Sequence, residues 1–305
     1  MESNSEFANL LLKYPFLSQE LIEKDIYLSE IIKDLVIIFD QKEWKNNYFL
    51  CGGTSLSKCF KVTNRLSEDI DISIFGLTKS KRKRIIKEIS TIIDEIENKN
   101  IIKVNYRDKL WSQRRWFLHC KFNYKKIEFS FDVKSIQVPL EDKHVSKKHV
   151  YDIVQKLSKN QVLEILPSIP VVDIEFIVAE KLLVFHKRFI NDSSKIIDES
   201  KIIENYDVNR LFRHVYDVFM IFDKKLISKT KENFLLINKW FIEISNFEVG
   251  FDTPLNKINL FQKGFLDHNK TILKTILKKE CYEKINIKEL ILFYQNIGEE
   301  FNDLK

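Results

Sequence analysis

A short apolar run, Tyr48-Phe49-Leu50-Cys51, stops at an adjacent glycine pair, Gly52-Gly53, and a helical pattern begins at Thr54. Glycine tolerates the left-handed and close-approach backbone geometries that other residues avoid, so the pair marks a sharp turn. Here it stands out: only 6 of 305 residues are glycine, about 2% where roughly 7% is usual. Proline is equally scarce at 5. A chain so poor in turn residues should be mostly helix with a few strands. Sixteen residues after Gly53, Asp69-Ile70-Asp71-Ile72-Ser73-Ile74 alternates polar and apolar, the period-2 signature of a strand.

The rest of the chain follows the same two periods. Leu21, Ile22, Ile26, Ile31, Ile32, Leu35, Val36 and Phe39 recur at helical spacing behind Ser18, a suitable cap. Lys79–Glu97 is helical through Ile85, Ile86, Ile89, Ile92, Ile93 and Ile96. Ile101–Tyr106, Trp116–Asn123 and Ile127–Val133 read as strands, the last two joined by the tight Tyr124-Lys125-Lys126 connection. After Pro167 and Pro170 the pattern is helical over about 174–190, 208–223, 231–246 and 269–303, the last span long enough for two helices, with a polar loop at 191–201. The prolines set the expected division: residues 1–166, then a helical region over 167–305.

Gly-Gly between a strand and a helix offers backbone N–H groups to phosphate oxygens, and Thr54 and Ser55 add hydroxyls there. Asp69 and Asp71, two residues apart on a strand, share one face. Carboxylates held side by side repel unless a cation lies between them, and Mg²⁺ takes such oxygen ligands together with substrate phosphates. The pattern therefore predicts a triphosphate on the glycine turn and Mg²⁺ (or Mn²⁺) on Asp69 and Asp71. A third carboxylate should come from a neighbouring strand. Glu128, Ser130 and Asp132 share a face of Ile127–Val133; Glu128 is favoured, with Asp132 as the alternative. In the helical half, Lys181 sits on an apolar stripe of Ile177, Val178, Val184 and Phe185, and Asp217 interrupts the apolar span Leu211–Phe222 near Arg213 and His214. A structural Lys–Asp pair is an equally weighted reading of that spacing.

Ile22-Glu23-Lys24-Asp25, Gly52-Gly53-Thr54-Ser55-Leu56-Ser57-Lys58 and Arg65-Leu66-Ser67-Glu68-Asp69-Ile70-Asp71-Ile72 resemble motifs of the AbiEii/AbiGii nucleotidyltransferase toxins, relatives of the MenT toxins. Ala179-Glu180-Lys181 and Arg213-His214-Val215-Tyr216-Asp217 do so as well. The resemblance implies an α+β chain: a polymerase-beta-like nucleotidyltransferase domain with a mixed sheet, followed by a C-terminal helical bundle. It implies Asp69 and Asp71 as metal-binding acids, and Lys181 and Asp217 as residues that complete the nucleotide site. Lys58, Arg65 and Ser67 lie in its motifs and join Gly52, Gly53, Thr54 and Ser55 as nucleotide-binding candidates. It further implies a cognate antitoxin and a role in phage defence or growth control. His214 departs from the pattern, standing where many relatives carry an acid.

Charge and composition narrow the alternatives. The net charge of +6 is mildly basic and compatible with a nucleic-acid partner. Lys79–Arg84 is a dense basic run, and Arg107, Lys109, Arg114 and Arg115 interleave with Trp111 and Trp116, a combination suited to RNA. The four cysteines show no metal-finger spacing and read as reduced, buried thiols; the six histidines show no zinc spacing. No apolar run is long enough for a membrane span, and the start of the chain lacks the pattern of a signal peptide, so a cytoplasmic protein is expected. The leading expectation is a metal-dependent nucleotidyltransferase toxin acting on NTP and an RNA acceptor, the 3′ end of tRNA being favoured. Its rivals are transfer to a protein side chain or small molecule, and a non-catalytic NTP- or RNA-binding module.

Overall fold

The computed structural model describes residues 11–14, 17–63, 65–67, 69–99, 101–111, 116–136, 138, 140–157, 168–192, 206–248, 266, 270–281 and 285–303. The chain divides into two compact units, Met1–Lys61 with Leu66–Asp173, and Val62–Arg65 with Ile174–Lys305.

In the first unit, seven strands among the described residues form one sheet: β1 (Tyr48–Leu50), β2 (Asp69–Ile74), β3 (Lys103–Trp111), β4 (Trp116–Tyr124), β5 (Ile127–Ser135), β6 (Val145–His149) and β7 (Ser168–Val172). Their spatial order is β3-β4-β5-β2-β1-β7-β6. The sheet is mixed: β2 runs parallel to β5, and β1 to β7, while the other neighbours are antiparallel. The α+β expectation holds.

Two helices, α1 (Gln19–Phe39) and α3 (Lys79–Asn98), share one core with one face of the sheet. Ser18 caps α1 by accepting the Leu21 N–H at 3.2 Å. Ile31, Ile32, Leu35 and Val36 from α1 and Ile85, Ile86, Ile89, Ile92 and Ile93 from α3 meet Ile70, Ile72 and Ile74 of β2. Leu118, Cys120 and Phe122 of β4 and Phe129, Phe131 and Val133 of β5 belong to the same core. Each such side chain contributes about 1.5–3 kcal/mol on burial, so the alternation along β2, β4 and β5 is held in register by one dry face. The intervening residues, including Asp69, Asp71, His119, Ser130 and Asp132, must then lie on the opposite face.

Between β1 and β2 lies α2, whose first turn is Gly52–Thr54 and whose remainder, Ser55–Cys59, is a π-helix in which Phe60 N–H reaches back to Ser55 O at 3.0 Å. A short helix, α4 (Ile153–Leu157), follows β6. Strands β6 and β7 were not legible in sequence. β6 reads Val-Ser-Lys-Lys-His, with little apolar alternation, and Pro170 stands inside β7 opposite Lys147.

The second unit is helical: α5 (Ile174–Asp192), α6 (Tyr206–Asp223), α7 (Lys231–Glu248), α8 (Lys270–Glu280) and α9 (Ile287–Asn302). The span expected to hold two helices does divide into α8 and α9. Phe176, Ile177 and Leu182 of α5, Val215, Tyr216 and Ile221 of α6, and Ile237, Trp240 and Phe241 of α7 are buried. Of the expected loop at 191–201, the first two residues continue α5 and 193–201 lie outside the described residues.

Candidate active site

Gly52 adopts φ +67°, and a Cβ placed on it would overlap the Asp71 carboxylate, lying 2.9 Å from Cγ and closer still to Oδ2. The first glycine of the pair is therefore required twice, for its left-handed backbone and for the space the aspartate occupies. Cys51 N–H donates to Asp71 O at 2.9 Å, holding the end of β1 against β2 at this point. The glycine turn and the Asp-x-Asp strand are thus one local structure.

The hydroxyls beside the turn face inward. Thr54 Oγ1 donates to Ser67 Oγ at 2.7 Å or to the Asp69 carbonyl, and all of Thr54 is buried. Ser55 is buried too and donates to Gly52 O at 3.0 Å. Thr54, Ser55 and Ser67 stitch α2 to the entry of β2, so the hydroxyls expected to meet phosphate are engaged within the first unit. Backbone around Gly52-Gly53 is what the turn leaves for that task.

Lys58, expected beside the nucleotide, lies in the interior. It is 1% exposed. Its Nζ donates to Asp25 O at 2.9 Å and Ser29 Oγ at 2.8 Å, and pairs with Asp25 Oδ1 at 2.9 Å. An ammonium has three protons, and these three partners use them. The other Asp25 oxygen accepts Ile153 N–H at 2.6 Å. Lys58 and Asp25 therefore join α2, α1 and α4 in the interior, which gives both motif residues a structural duty. Beside them Asp152 has its carboxyl pushed up by burial, with Asp25 adding to that and Lys58 opposing it.

The pairing of β2 with β5 sets Asp69 beside Ser130 and Asp71 beside Asp132. Of the two candidates for the third carboxylate, Asp132 is the one alongside Asp71. Glu128 lies four residues earlier on β5, about 13 Å away along the strand. Its side chain is 53% exposed, accepts from Asn105 Nδ2 at 3.2 Å and faces Lys121 Nζ at 3.8 Å. Register thus separates the two candidates, Asp132 beside Asp71 and Glu128 further along β5: sharing a face is not sharing a position. Asp132 also pairs with a residue not singled out in sequence, His119 of β4, whose Nδ1 lies 2.5 Å from Oδ1. The signal was present in the alternation of Trp116–Asn123, which puts His119 opposite the buried Leu118 and Cys120.

Within the helical unit, Asp217 is fully buried and receives Arg65 through Nε to Oδ1 at 2.8 Å and through a terminal nitrogen to Oδ2 at 2.6 Å. Lys181 Nζ donates to Oδ2 at 2.6 Å. Burial alone would raise the Asp217 carboxyl, but the charges and hydrogen bonds of Arg65 and Lys181 outweigh it and hold it well below the usual carboxylate range. Nearby, Tyr294 OH donates to Val215 O at 2.6 Å, and its phenol is pushed well up by burial and by the Asp217 charge. Lys181 and Asp217 are paired, as one of the two readings of their spacing has it, and Arg65 makes a triad of two cations and one anion.

Elsewhere, Arg107 is drawn to Asp94 on α3 rather than left for a ligand, and Arg114 and Arg115 lie outside the described residues. The cysteines are buried with no disulfide among them, and burial pushes the Cys59 thiol up to about 12, so it is no nucleophile.

The family described as "Nucleotidyl transferase AbiEii toxin, Type IV TA system" matches residues 34–282, about four-fifths of the chain. The chain belongs to the AbiEii family. The resemblance read from the motifs is thereby confirmed. A curated relative, "Putative ankyrin repeat protein R734" of Acanthamoeba polyphaga mimivirus, is 31% identical over 113 residues, 36% of this chain. The chain spans 17% of the length of that relative. Two solved structures resemble the chain: "Crystal structure of JHP933 from Helicobacter pylori" (13% identity, 94% of each chain, TM-score 0.47) and "Crystal structure of putative nucleotidyltransferase from H. pylori" (12% identity, 94% of this chain and 97% of that one, TM-score 0.41).

The family is described as nucleotidyl transferase toxins of type IV TA systems. Among the described residues no helix is long and apolar enough to cross a membrane. The donor set suits a hard cation: Asp69 and Asp71 present only carboxylate oxygens on one strand face. Among the described residues no three His, Cys, Asp or Glu side chains surround a common point. One or two carboxylates, with phosphate and water oxygens completing the shell, is the usual arrangement for Mg²⁺.

Proposed function

We propose that this AbiEii protein transfers a nucleoside monophosphate from an NTP to a hydroxyl of RNA, the 3′ end of tRNA being the favoured acceptor, with release of pyrophosphate. The observation that carries the reading is the contact of Gly52 with Asp71, with Asp132 on the next strand. A turn built for close backbone approach, with the Asp69 and Asp71 carboxylates on one strand face beside it, suits a triphosphate and its metal.

In this reading backbone N–H groups of Gly52 and Gly53 receive phosphate oxygens, and Asp69 and Asp71 hold Mg²⁺. Bound there, the metal would neutralise charge on the reacting phosphate and on the leaving pyrophosphate. Asp132 accepts the proton of the acceptor hydroxyl as its oxygen bonds to the α-phosphorus and the bond to the β-phosphate oxygen breaks. Within the second unit, the Arg65–Asp217–Lys181 triad carries one positive charge in excess. An activity on NTP and RNA suits a cytoplasmic protein.

The test is incubation of the purified chain with each α-labelled NTP, Mg²⁺ and total RNA, with total protein as a parallel acceptor. Label should enter an RNA band, and Asp71→Ala should abolish it. Label in protein alone would redirect the reading to a side-chain acceptor, and labelling undiminished by Asp71→Ala would refute it.

A further inference from the structure

We infer that His119 is a positioning residue for nucleotidyl transfer: its imidazole fixes the Asp132 carboxylate in the orientation in which that carboxylate meets the acceptor hydroxyl. The inference rests on the transfer reading above and adds a residue to it.

Register brings the pair together. His119 on β4 stands directly across from Asp132 on β5, which stands beside Asp71 on β2. The three side chains thus form a row across three adjacent strands on the polar face. Nδ1 lies 2.5 Å from Asp132 Oδ1. An ionised carboxylate has no proton to give, so the imidazole N–H is the donor, and the bond is charge-assisted. The ring is itself held: it stacks on Phe117 with 6.1 Å between centroids and 6° between planes, and Tyr106 lies 5.8 Å away. Other charged groups border it: Asp108 opposite on β3, Lys121 on β4 and Lys134 on β5.

The burial of the pair suits a working role. The two side chains are 23% and 25% exposed, so ligand can reach them. A bond this close to solvent adds little to stability, whereas a carboxylate that must meet a hydroxyl gains from having its rotation stopped. Partners of this kind typically change activity about 10–100-fold when removed.

Four full-length proteins test this: His119→Ala, His119→Asn, Asp132→Asn and the double variant His119→Ala/Asp132→Asn, with melting curves as a check on folding. We expect His119→Ala to lower kcat about 10–100-fold while KM for NTP stays within about twofold. His119→Asn, whose amide N–H falls near the Nδ1 position, should recover most of the lost kcat. In the Asp132→Asn background His119→Ala should cost little more, because the group it positions is gone. Turnover of His119→Ala within twofold of the parent, or an undiminished loss in the Asp132→Asn background, would overturn the inference alone. A parent protein that labels no acceptor would overturn the transfer reading, and this inference with it.

Discussion

Gly52→Ala is the sharpest perturbation available, because one methyl group acts on two things at once. At φ +67° an alanine enters the left-handed region, which costs about 1–2 kcal/mol for a residue with a Cβ. The new carbon would also lie 2.9 Å from Asp71 Cγ, whereas carbons rest about 3.5–4.0 Å apart. The carboxylate must therefore retreat by about 0.6–1.1 Å, and a misplacement of about 1 Å at a reacting centre can cost about 100-fold in rate. Gly76 is the control. It has φ +68°, but its nearest obstacle is the end of the Asn47 side chain at 3.3 Å. Gly76→Ala should share the backbone penalty and keep the transfer rate. Urea midpoints and label transfer, measured on both variants, separate the two effects. If Gly52→Ala transfers nucleotide as fast as Gly76→Ala, the contact with Asp71 does not matter to function and the argument fails.

Three further outcomes follow from the geometry. Lys58→Met leaves Asp25 buried without its cation and should cost about 3–5 kcal/mol of stability; adding Asp25→Asn should return part of that loss, as read by urea unfolding. Asp217 has its carboxyl held below the unfolded value of about 3.9, so its contribution is complete above that pH and is lost as pH falls towards the folded value. Urea midpoints from pH 7 to pH 3 should fall for the parent below about pH 4 and less steeply for Asp217→Asn; parallel curves would refute the linkage. Glu128→Gln should leave transfer within about twofold, while Asp132→Asn, losing a proton acceptor, should lose about 100-fold or more; the reverse order would restore Glu128 as the third acid.

The boundaries of β2, α1 and α3 were legible because each has one dry face and therefore a clean period. Ile70, Ile72 and Ile74 on β2 and the isoleucine series of α3 announce their own burial. β7 was obscured by Pro170, which reads as a break yet sits in a strand whose recorded partner there is Lys147. Lys58 and Glu128 meet partners that local patterns do not name. Motif membership and face periodicity say which residues are available, but not which interior partner or which strand position each one meets. Lys58 met Asp25, thirty-three residues earlier, and Glu128 met Asn105 and Lys121.

The amino-acid order alone determined the elements, the shared face of Asp69 and Asp71, the glycine turn and the family motifs, because these depend on local stereochemistry and on periods of 2 and 3.6 residues. Tertiary structure decided the rest. Strand register put Asp132 rather than Glu128 beside Asp71 and brought His119 to it. Burial turned Lys58, Thr54 and Ser55 inward and gathered Arg65 and Lys181 on Asp217. Register and burial are set by contacts between residues far apart in the chain, and no local pattern encodes which distant partner a side chain will meet.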